Sequence, residues 1–486
     1  MTSWKLILVV AAFMMGASHP THALTKSKLR SLIKSGYYKQ ALGELSKSQR
    51  PSASQYFLRA DLFNKLGYYH LDLAQRIEGL KKNPSFKHLH RAGNTALVLG
   101  RYDSLVSLVS RLPSASRRSL PVTVRLVQAA HSLRKGDLRS AIRYLPPANS
   151  IEQMSFGLPR YEGAAIGATI NYGLRKNSTA LSYLSRAFPK VKNADLGHLR
   201  LLRAQIYYDM RDFDRALSEV SEINRSSPSW FDGALVSAWG AYLSRDYNLA
   251  LGQLMNLNSP YLVSKFNPES YLLQSAVLYQ LCYFESALRA VNKFKEKYQK
   301  MDRSFRSFES LLQDRKRFMK VVGEYARGRK QSRFGIPQEH WILILDGLSS
   351  EKYMGQLDRS LNQLEKENQV LRKDRQLARY RRIFQSEYKY AQREYFESAR
   401  NGAKKRLRRM KDMVKESLEG ALSVELEVNT RLRDRLISGS VARRRQIDFD
   451  KEIAKGYEFW PFEGEFWRDE TGYYAFATGS VCEERR

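Results

Sequence analysis

Apolar residues recur at helical spacing through most of the first 300 residues. Residues 201–208 read Leu-Leu-Arg-Ala-Gln-Ile-Tyr-Tyr, and after a short polar turn Leu217, Val220 and Ile223 continue the pattern. Spacing of three and four is typical of an amphipathic helix with one buried face. The pattern therefore predicts two helices joined by a tight turn.

The turn carries a motif of its own, with Gly or Arg first, an aromatic residue two positions later and Ala five positions later. The residues that define it are Gly36, Tyr38 and Ala41; Gly136 and Ala141; Phe213 and Ala216; Tyr247 and Ala250; and Phe284 and Ala287. Degenerate copies occur near Gly67, Gly100 and Gly173. Each slot has a physical reason. Gly permits the positive φ that ends a helix, the aromatic ring fills the wedge between two helices, and Ala lets their backbones approach.

Eight copies of the Ala slot follow one another at steps of 31, 33, 36, 39, 36, 34 and 37 residues. The slots are Ala41, Asp72, Leu105, Ala141, Ala180, Ala216, Ala250 and Ala287. A period of about 34 residues indicates a stacked array of helical hairpins. Asp72 and Leu105 depart from the small residue that the slot favours.

These residues resemble the tetratricopeptide repeat (TPR) family, with the similarity covering roughly residues 27–300. The resemblance implies an all-α, right-handed superhelix whose concave groove holds peptides or partner helices. We expect a repeat domain over 24–300, in which the first half is the more degenerate.

Residues 301–440 form a second region, basic and helical in pattern. Leu357, Leu361, Leu364, Asn368 and Leu371 follow alternating steps of four and three, as in a short coiled coil. This seam fits an intermolecular coil or an antiparallel hairpin folded back on the array. Asn401-Gly402 predicts a break in the helix that follows.

The last region, 441–486, is rich in aromatic residues, with nine in the 20 positions 457–476. Pro and Gly punctuate it, which predicts a compact turn and hairpin rather than a helix. Its rings must be buried against the helices as a cap or against a partner. The expected docking residues are Trp460, Pro461, Phe466, Trp467, Arg468, Tyr473 and Tyr474.

The first residues, 1–23, have the pattern of a cleavable signal peptide. Lys5 precedes an apolar stretch over 6–17, and Thr21-His22-Ala23 provides a small-residue cleavage site. The apolar stretch is shorter than the ~20 residues of a spanning helix. No cysteine lies near the cleavage site, which argues against a lipoprotein, and no later stretch predicts a membrane span. The expected location is the periplasm.

The chain has two cysteines, Cys282 and Cys482, which an oxidising compartment could join. The position of Cys282 between Leu281 and Tyr283 in a repeat turn favours instead a buried, unpaired cysteine. The net charge is +33 and is spread along the chain. In an exported protein this favours anionic lipid, cell-wall polymer or acidic proteins over nucleic acid as partners.

No pattern points to catalysis, a cofactor or a metal site. His88-Leu89-His90 directs its rings to different sides of a helix, and no further ligand follows at metal spacing. The basic runs 403–409 and 443–445 are typical of a solvated helix face, with an acidic partner as the alternative.

The segment 460–474 is similar to the C-terminal part of exported TPR proteins of the gliding-motility envelope machinery of myxobacteria. The resemblance implies a non-enzymatic scaffold or adaptor in a multi-protein envelope complex. Two alternatives stay open: a periplasmic chaperone for outer-membrane proteins, and a wall-binding accessory of peptidoglycan enzymes.

Overall fold

A computed structural model describes residues 26–114, 119–154, 158–186, 196–325, 334–349, 352–438 and 464–482. Across these ranges the regular structure is helical and contains no strand, so the predicted all-α class is confirmed. The predicted signal peptide lies outside the described residues.

Eight helix pairs stack in chain order over residues 26–298. They are α1 (Lys26–Lys34) with α2 (Tyr38–Leu45), α3 (Ala53–Lys65) with α4 (Tyr69–Lys82), α5 (Phe86–Leu99) with α6 (Asp103–Ser110), α7 (Val122–Lys135) with α8 (Leu138–Tyr144), and, after the short α9 (Ala148–Glu152), α10 (Leu158–Gly173) with α11 (Asn177–Ser185), α12 (Gly197–Asp209) with α13 (Phe213–Ser221), α14 (Trp230–Leu243) with α15 (Tyr247–Leu257), and α16 (Pro268–Gln280) with α17 (Phe284–Tyr298). This is a TPR-like arrangement.

One residue in the left-handed conformation ends the first helix of every pair. The eight residues are Gly36, Gly67, Gly100, Gly136, Arg175, Arg211, Arg245 and Cys282, with φ between 60° and 83°. Their amides and those of the following residues close the helix end; at the seventh pair the Arg245 amide donates to the Tyr242 carbonyl and the Asp246 amide donates to the Ala241 carbonyl. The prediction of Gly173 as the fifth turn glycine is wrong. Gly173 is the last residue of α10, and Arg175 takes the left-handed position.

The slot residues that follow the turns are buried between the paired helices. Ala41, Ala141, Ala216, Ala250 and Ala287 are at most 1% exposed. The aromatic position varies more: Phe284 is buried, whereas Tyr38, Phe213 and Tyr247 are half-buried. Close helix contact at the Ala slot is thus the constant feature of the turn.

Replacing an arginine that occupies a left-handed turn position should stabilise the protein. Arg245 is exposed and has φ of 62°, a conformation that costs a residue with a Cβ about 1 kcal/mol. We expect Arg245→Gly to raise the free energy of unfolding by about 0.5 kcal/mol, after the greater chain entropy of Gly is subtracted. Urea denaturation measures the change. Gly67→Ala, at φ of 77° with open space around it, should lower stability by a similar amount; a change of the same sign in both variants would contradict this explanation.

Five further helices follow the array: α18 (Met301–Gln313), α19 (Arg315–Tyr325), α20 (Gln338–Ser349), α21 (Lys352–Lys373) and α22 (Arg381–Ser438). α21 and α22 pack against each other as a hairpin, with the Arg381 side chain bonded to the Leu371 carbonyl. The predicted break at Asn401-Gly402 is wrong, because α22 continues through both residues. Gly402 is buried there, and packing outweighs its cost of about 1 kcal/mol in a helix.

The C-terminal helices share a core with both ends of the array. One apolar cluster joins Leu42 and Phe63 of the first two repeats, Phe294 of α17, and residues such as Leu364 and Phe384 of α21 and α22. Another cluster runs through the second to sixth repeats. Because the first cluster bridges the two ends, the array is closed by its own C-terminal helices.

Candidate functional site: the groove face and the clamped tail

α22 packs on both helices of the eighth repeat and passes beside the first helices of the sixth and seventh repeats. Between α22 and the array lies a cavity of about 580 Å³. Its array wall is formed by Gln205 and Tyr208 of α12, Asp232, Leu235, Val236 and Trp239 of α14, and Glu269 of α16; its other wall is formed by Arg406, Arg409 and Met413 of α22. The groove that the resemblance assigns to a partner is therefore partly occupied by the chain itself.

Acidic and basic groups face each other across this cavity. Burial raises the pKa of the Asp232 carboxyl, with the Arg406 charge opposing the shift. Burial also raises the pKa of Glu269, against a hydrogen bond from Trp239. Arg406 donates from Nε to the Gly347 carbonyl at 3.0 Å. The cavity thus combines aromatic surface with charges of both signs.

The C-terminal helices also bind main-chain groups at the turns of the early repeats. Gln363 of α21 donates to the Gly67 carbonyl at 2.8 Å, and Ser360 donates to the Leu99 carbonyl at 3.1 Å. Lys405 of α22 donates to the Arg134 carbonyl at 3.2 Å. Carbonyl groups at helix ends lack partners within the helix, and these side chains supply them.

A buried ionic cluster fixes α22 to the third turn. Arg101 is 1% exposed and pairs with Glu387 and Glu394 of α22. The Glu394 carboxylate also accepts hydrogen bonds from the Tyr102 and Asp103 amides, at 2.8 and 3.2 Å. Nothing in the spacing of these residues, which lie almost 300 positions apart, could have indicated this contact.

A buried histidine makes a second link. The His70 ring on α4 contacts Glu367 of α21 through Nδ1 and the Tyr395 hydroxyl of α22 through Nε2, each at 2.9 Å. A neutral ring satisfies both, donating to the carboxylate and accepting from the hydroxyl. Burial lowers the pKa of His70 below its usual 6.5, although Glu367 opposes the shift.

This histidine should make stability depend on pH. Its pKa is lower in the folded than in the unfolded chain, so below pH 6.5 the unfolded chain binds more protons. Stability should then fall as the pH drops, by up to about 1.4 kcal/mol per pH unit from this group. Urea denaturation is measured between pH 7 and pH 5, in steps of about one unit. The free energy of unfolding should fall less with decreasing pH in His70→Gln than in the unchanged protein. The exposed His198, changed to Gln, is the control, and the same slope in both variants would contradict the assignment.

The two cysteines are joined. Cys282 at the eighth turn and Cys482 form a disulfide with a Cα–Cα distance of 5.1 Å, so the expectation of a buried unpaired cysteine is wrong. Cys282 takes the left-handed turn position, which leaves it partly exposed and within reach of the tail. Such a crosslink stabilises mainly by restricting the unfolded chain, typically by about 2–4 kcal/mol.

The described tail, residues 464–482, has a turn at 468–473 and then runs extended along α15; it is not a hairpin. Phe466 and Tyr474 are half-buried and pack edge to face. Trp467 and Tyr473 are 60% and 68% exposed, so these two rings are not buried against the helices, and their docking to a partner stays a prediction. Arg468 is exposed as well, whereas Trp460 and Pro461 lie outside the described residues. The described tail contacts the late repeats mainly through its main chain.

The other features that the sequence singled out give weaker evidence of a functional site. In the basic run, Lys404, Lys405, Arg408 and Arg409 are exposed, while Leu407 is buried; residues 443–445 lie outside the described part. His88 stacks on Phe57 with ring centroids 3.6 Å apart. Within the described ranges no group of His, Cys, Asp and Glu side chains could hold a metal ion. Over the same ranges no helix is long and apolar enough to span a membrane.

Solved TPR structures are similar to this chain in a structural comparison. The crystal structure of the P58(IPK) TPR domain has 15% sequence identity over 75% of this chain and 98% of that chain, with a TM-score of 0.19. Yeast Tom70 has 10% identity over 76% and 95%, also with a TM-score of 0.19. Superposition at this score is poor, so the TPR-like description rests on the turns and helix pairs above. The sequence matches no protein-family model and has no significant similarity to a curated protein.

Proposed function

We propose that the protein is a non-enzymatic scaffold of the cell envelope, exported by segment 1–23, that binds partner proteins through the first-helix face of its late repeats. The observation that carries the proposal is the packing of α22 on both helices of the eighth repeat, where it lines a cavity together with the first helices α12, α14 and α16. A helix of mixed apolar and basic character already lies there, so the face has the shape and chemistry to hold one.

The open cavity beside α22 is the proposed contact point for a partner. Tyr208 and Trp239 supply aromatic surface, which dominates binding energy at many interfaces. Asp232 and Glu269 supply acidic groups, and Arg409 supplies a basic one. A gliding-motility complex, as implied by the tail resemblance, is the proposed setting.

Site-specific photo-crosslinking in cells tests this proposal. A photoreactive amino acid at Val236, in the cavity, should capture one or a few defined envelope proteins. The capture should fall several-fold in Trp239→Ala, because the variant loses the main ring of the cavity. The matched control carries the same amino acid at Asp214, an exposed position on α13.

The outcomes separate the alternatives. Capture of many unfolded outer-membrane proteins would favour a chaperone. Absence of protein products together with salt-sensitive sedimentation on purified wall would favour a wall-binding accessory. An intact signal in the mature protein, or a chemical turnover that a single substitution abolishes, would overturn the proposal.

A further inference from the structure

The outer surface of α15 carries a stripe of three residues, Asn248, Gly252 and Asn256, spaced four apart on one side of the helix. Each of the three contacts the tail. Asn256 is fully buried beneath it. Gly252 lies so close that a Cβ there would sit 2.8 Å from the Tyr474 carbonyl oxygen. We call these three residues the asparagine stripe.

The asparagine stripe binds the main chain of the tail. The Asn256 Oδ1 atom accepts from the Gly472 and Tyr474 amides at 2.6 and 3.2 Å, and its Nδ2 donates to the Tyr474 carbonyl at 3.3 Å. The Asn248 Oδ1 atom accepts from the Thr478 amide at 3.0 Å. Asparagine can donate and accept at once, so it pairs with both groups of a peptide unit.

Neighbouring groups extend this main-chain recognition in both directions. Arg225 donates to the Gly472 carbonyl at 3.0 Å, and the Tyr283 hydroxyl donates to the Gly479 carbonyl at 3.0 Å. Beyond them, the Val481 amide donates to the Leu281 carbonyl at 3.1 Å. The contacts therefore recognise chiefly the main chain of the tail, together with the Tyr473 ring, which lies under Arg225, and the Thr478 hydroxyl, which pairs with that of Tyr283.

We propose that the asparagine stripe is a peptide-binding site, and that the same tail segment, residues 472–482, from a second copy of this chain can occupy it. The segment is the one peptide whose fit to the stripe the structure shows, and every bond would be kept if another copy supplied it. The site lies on second helices, away from the cavity, so this proposal stands independently of the proposed function.

The tail of the same chain competes strongly with the tail of a second copy for the stripe, because tethering raises its effective concentration. The test therefore vacates the stripe of one copy. The receptor is the full chain with Cys482→Ser and Gly472→Val. Gly472 has φ of 100°, and a Cβ there would lie 2.8 Å from the Trp230 ring, so this change displaces the tail of the receptor. The donor is the full chain with Cys282→Ser.

Receptor and donor are mixed and treated with the azo oxidant diamide. The Cys282 thiol of the receptor and the Cys482 thiol of the donor together lose two protons and two electrons to diamide, forming one intermolecular disulfide and a hydrazine. We expect the crosslinked pair to form about tenfold faster than receptor dimers joined through Cys282. Peptide mapping identifies the bond.

Two matched changes decide whether the stripe directs the reaction. Asn256→Ala in the receptor should slow crosslinking about tenfold, because it removes three hydrogen bonds to the donor tail. The same change in the donor should not slow the reaction and should speed it, because it weakens the binding of the donor's tail to its own stripe. Asn248→Ala in the receptor gives a smaller decrease and guards against misfolding of the Asn256 variant. Equal rates with and without the receptor asparagines would overturn the proposal.

Discussion

Replacing Asp72 with the alanine that the repeat motif favours should destabilise the protein by about 3 kcal/mol. Asp72 is fully buried and accepts hydrogen bonds from Arg76, from Asn64 at 2.7 Å and from Thr95 at 2.7 Å. Arg76 is itself 1% exposed. Asp72→Ala leaves this guanidinium in the core with Asp61 as its remaining carboxylate partner, at 2.9 Å. Urea denaturation at neutral pH measures the loss.

A second change shows whether the cost arises from the unpaired arginine. Adding Arg76→Met to Asp72→Ala should recover more than half of the lost stability, since an apolar side chain of similar length replaces the buried charge. Arg76→Met alone should be destabilising, because it leaves Asp72 buried without its ionic partner. If Asp72→Ala does not lower the stability, the slot requires only the small residue of the repeat motif, and the polar cluster does not stabilise the fold.

Removing the Glu394 carboxylate should cost about 3–5 kcal/mol, the usual effect of breaking a buried ion pair. Glu394→Ala leaves the Arg101 guanidinium with Glu387 alone and deprives the Tyr102 and Asp103 amides of their acceptor. Because the cluster fixes α22 to the third turn, amide exchange should rise in α22 as well as near the turn. Urea denaturation and hydrogen exchange by mass spectrometry measure the two effects.

Glu427→Ala is the control for this change. Glu427 is an exposed carboxylate of α22 that accepts from the Tyr279 hydroxyl at 3.3 Å. Loss of an exposed polar contact should alter stability by less than about 1 kcal/mol. Equal effects of the Glu394 and Glu427 changes would show that the buried cluster does not hold α22 in place.

The repeat turns were predictable because their signal is local. A left-handed residue, an aromatic and a small residue act within six positions of one another, and their period fixes the stack. The one misplaced turn, at Gly173 instead of Arg175, shows the limit of this reasoning. Glycine suits positive φ, but arginine also takes that conformation at three of the eight turns when the helix ends are fixed by packing.

The occupied groove was not predictable, because its contacts join residues far apart in sequence. The sequence around Arg101 and around Glu394 carries no distinguishing motif, and only folding brings the two side chains together. The same holds for Asp72, whose partner Thr95 lies 23 positions away, in the next repeat. The disulfide was not predicted for a related reason: the sequence shows two cysteines but not that the tail returns to the eighth turn.

The most direct test of the account is whether α22 packs on the array within one molecule. Lys295 of α17 and Glu425 of α22 form an ion pair with a shortest distance of 2.6 Å between Nζ and a carboxylate oxygen. A carbodiimide joins such a pair with no spacer. After crosslinking, the monomer is isolated by size exclusion and mapped by mass spectrometry. The account predicts a Lys295–Glu425 bond in the monomer; its absence there, or its presence only in dimers, would contradict the packing of α22 on the array of its own chain.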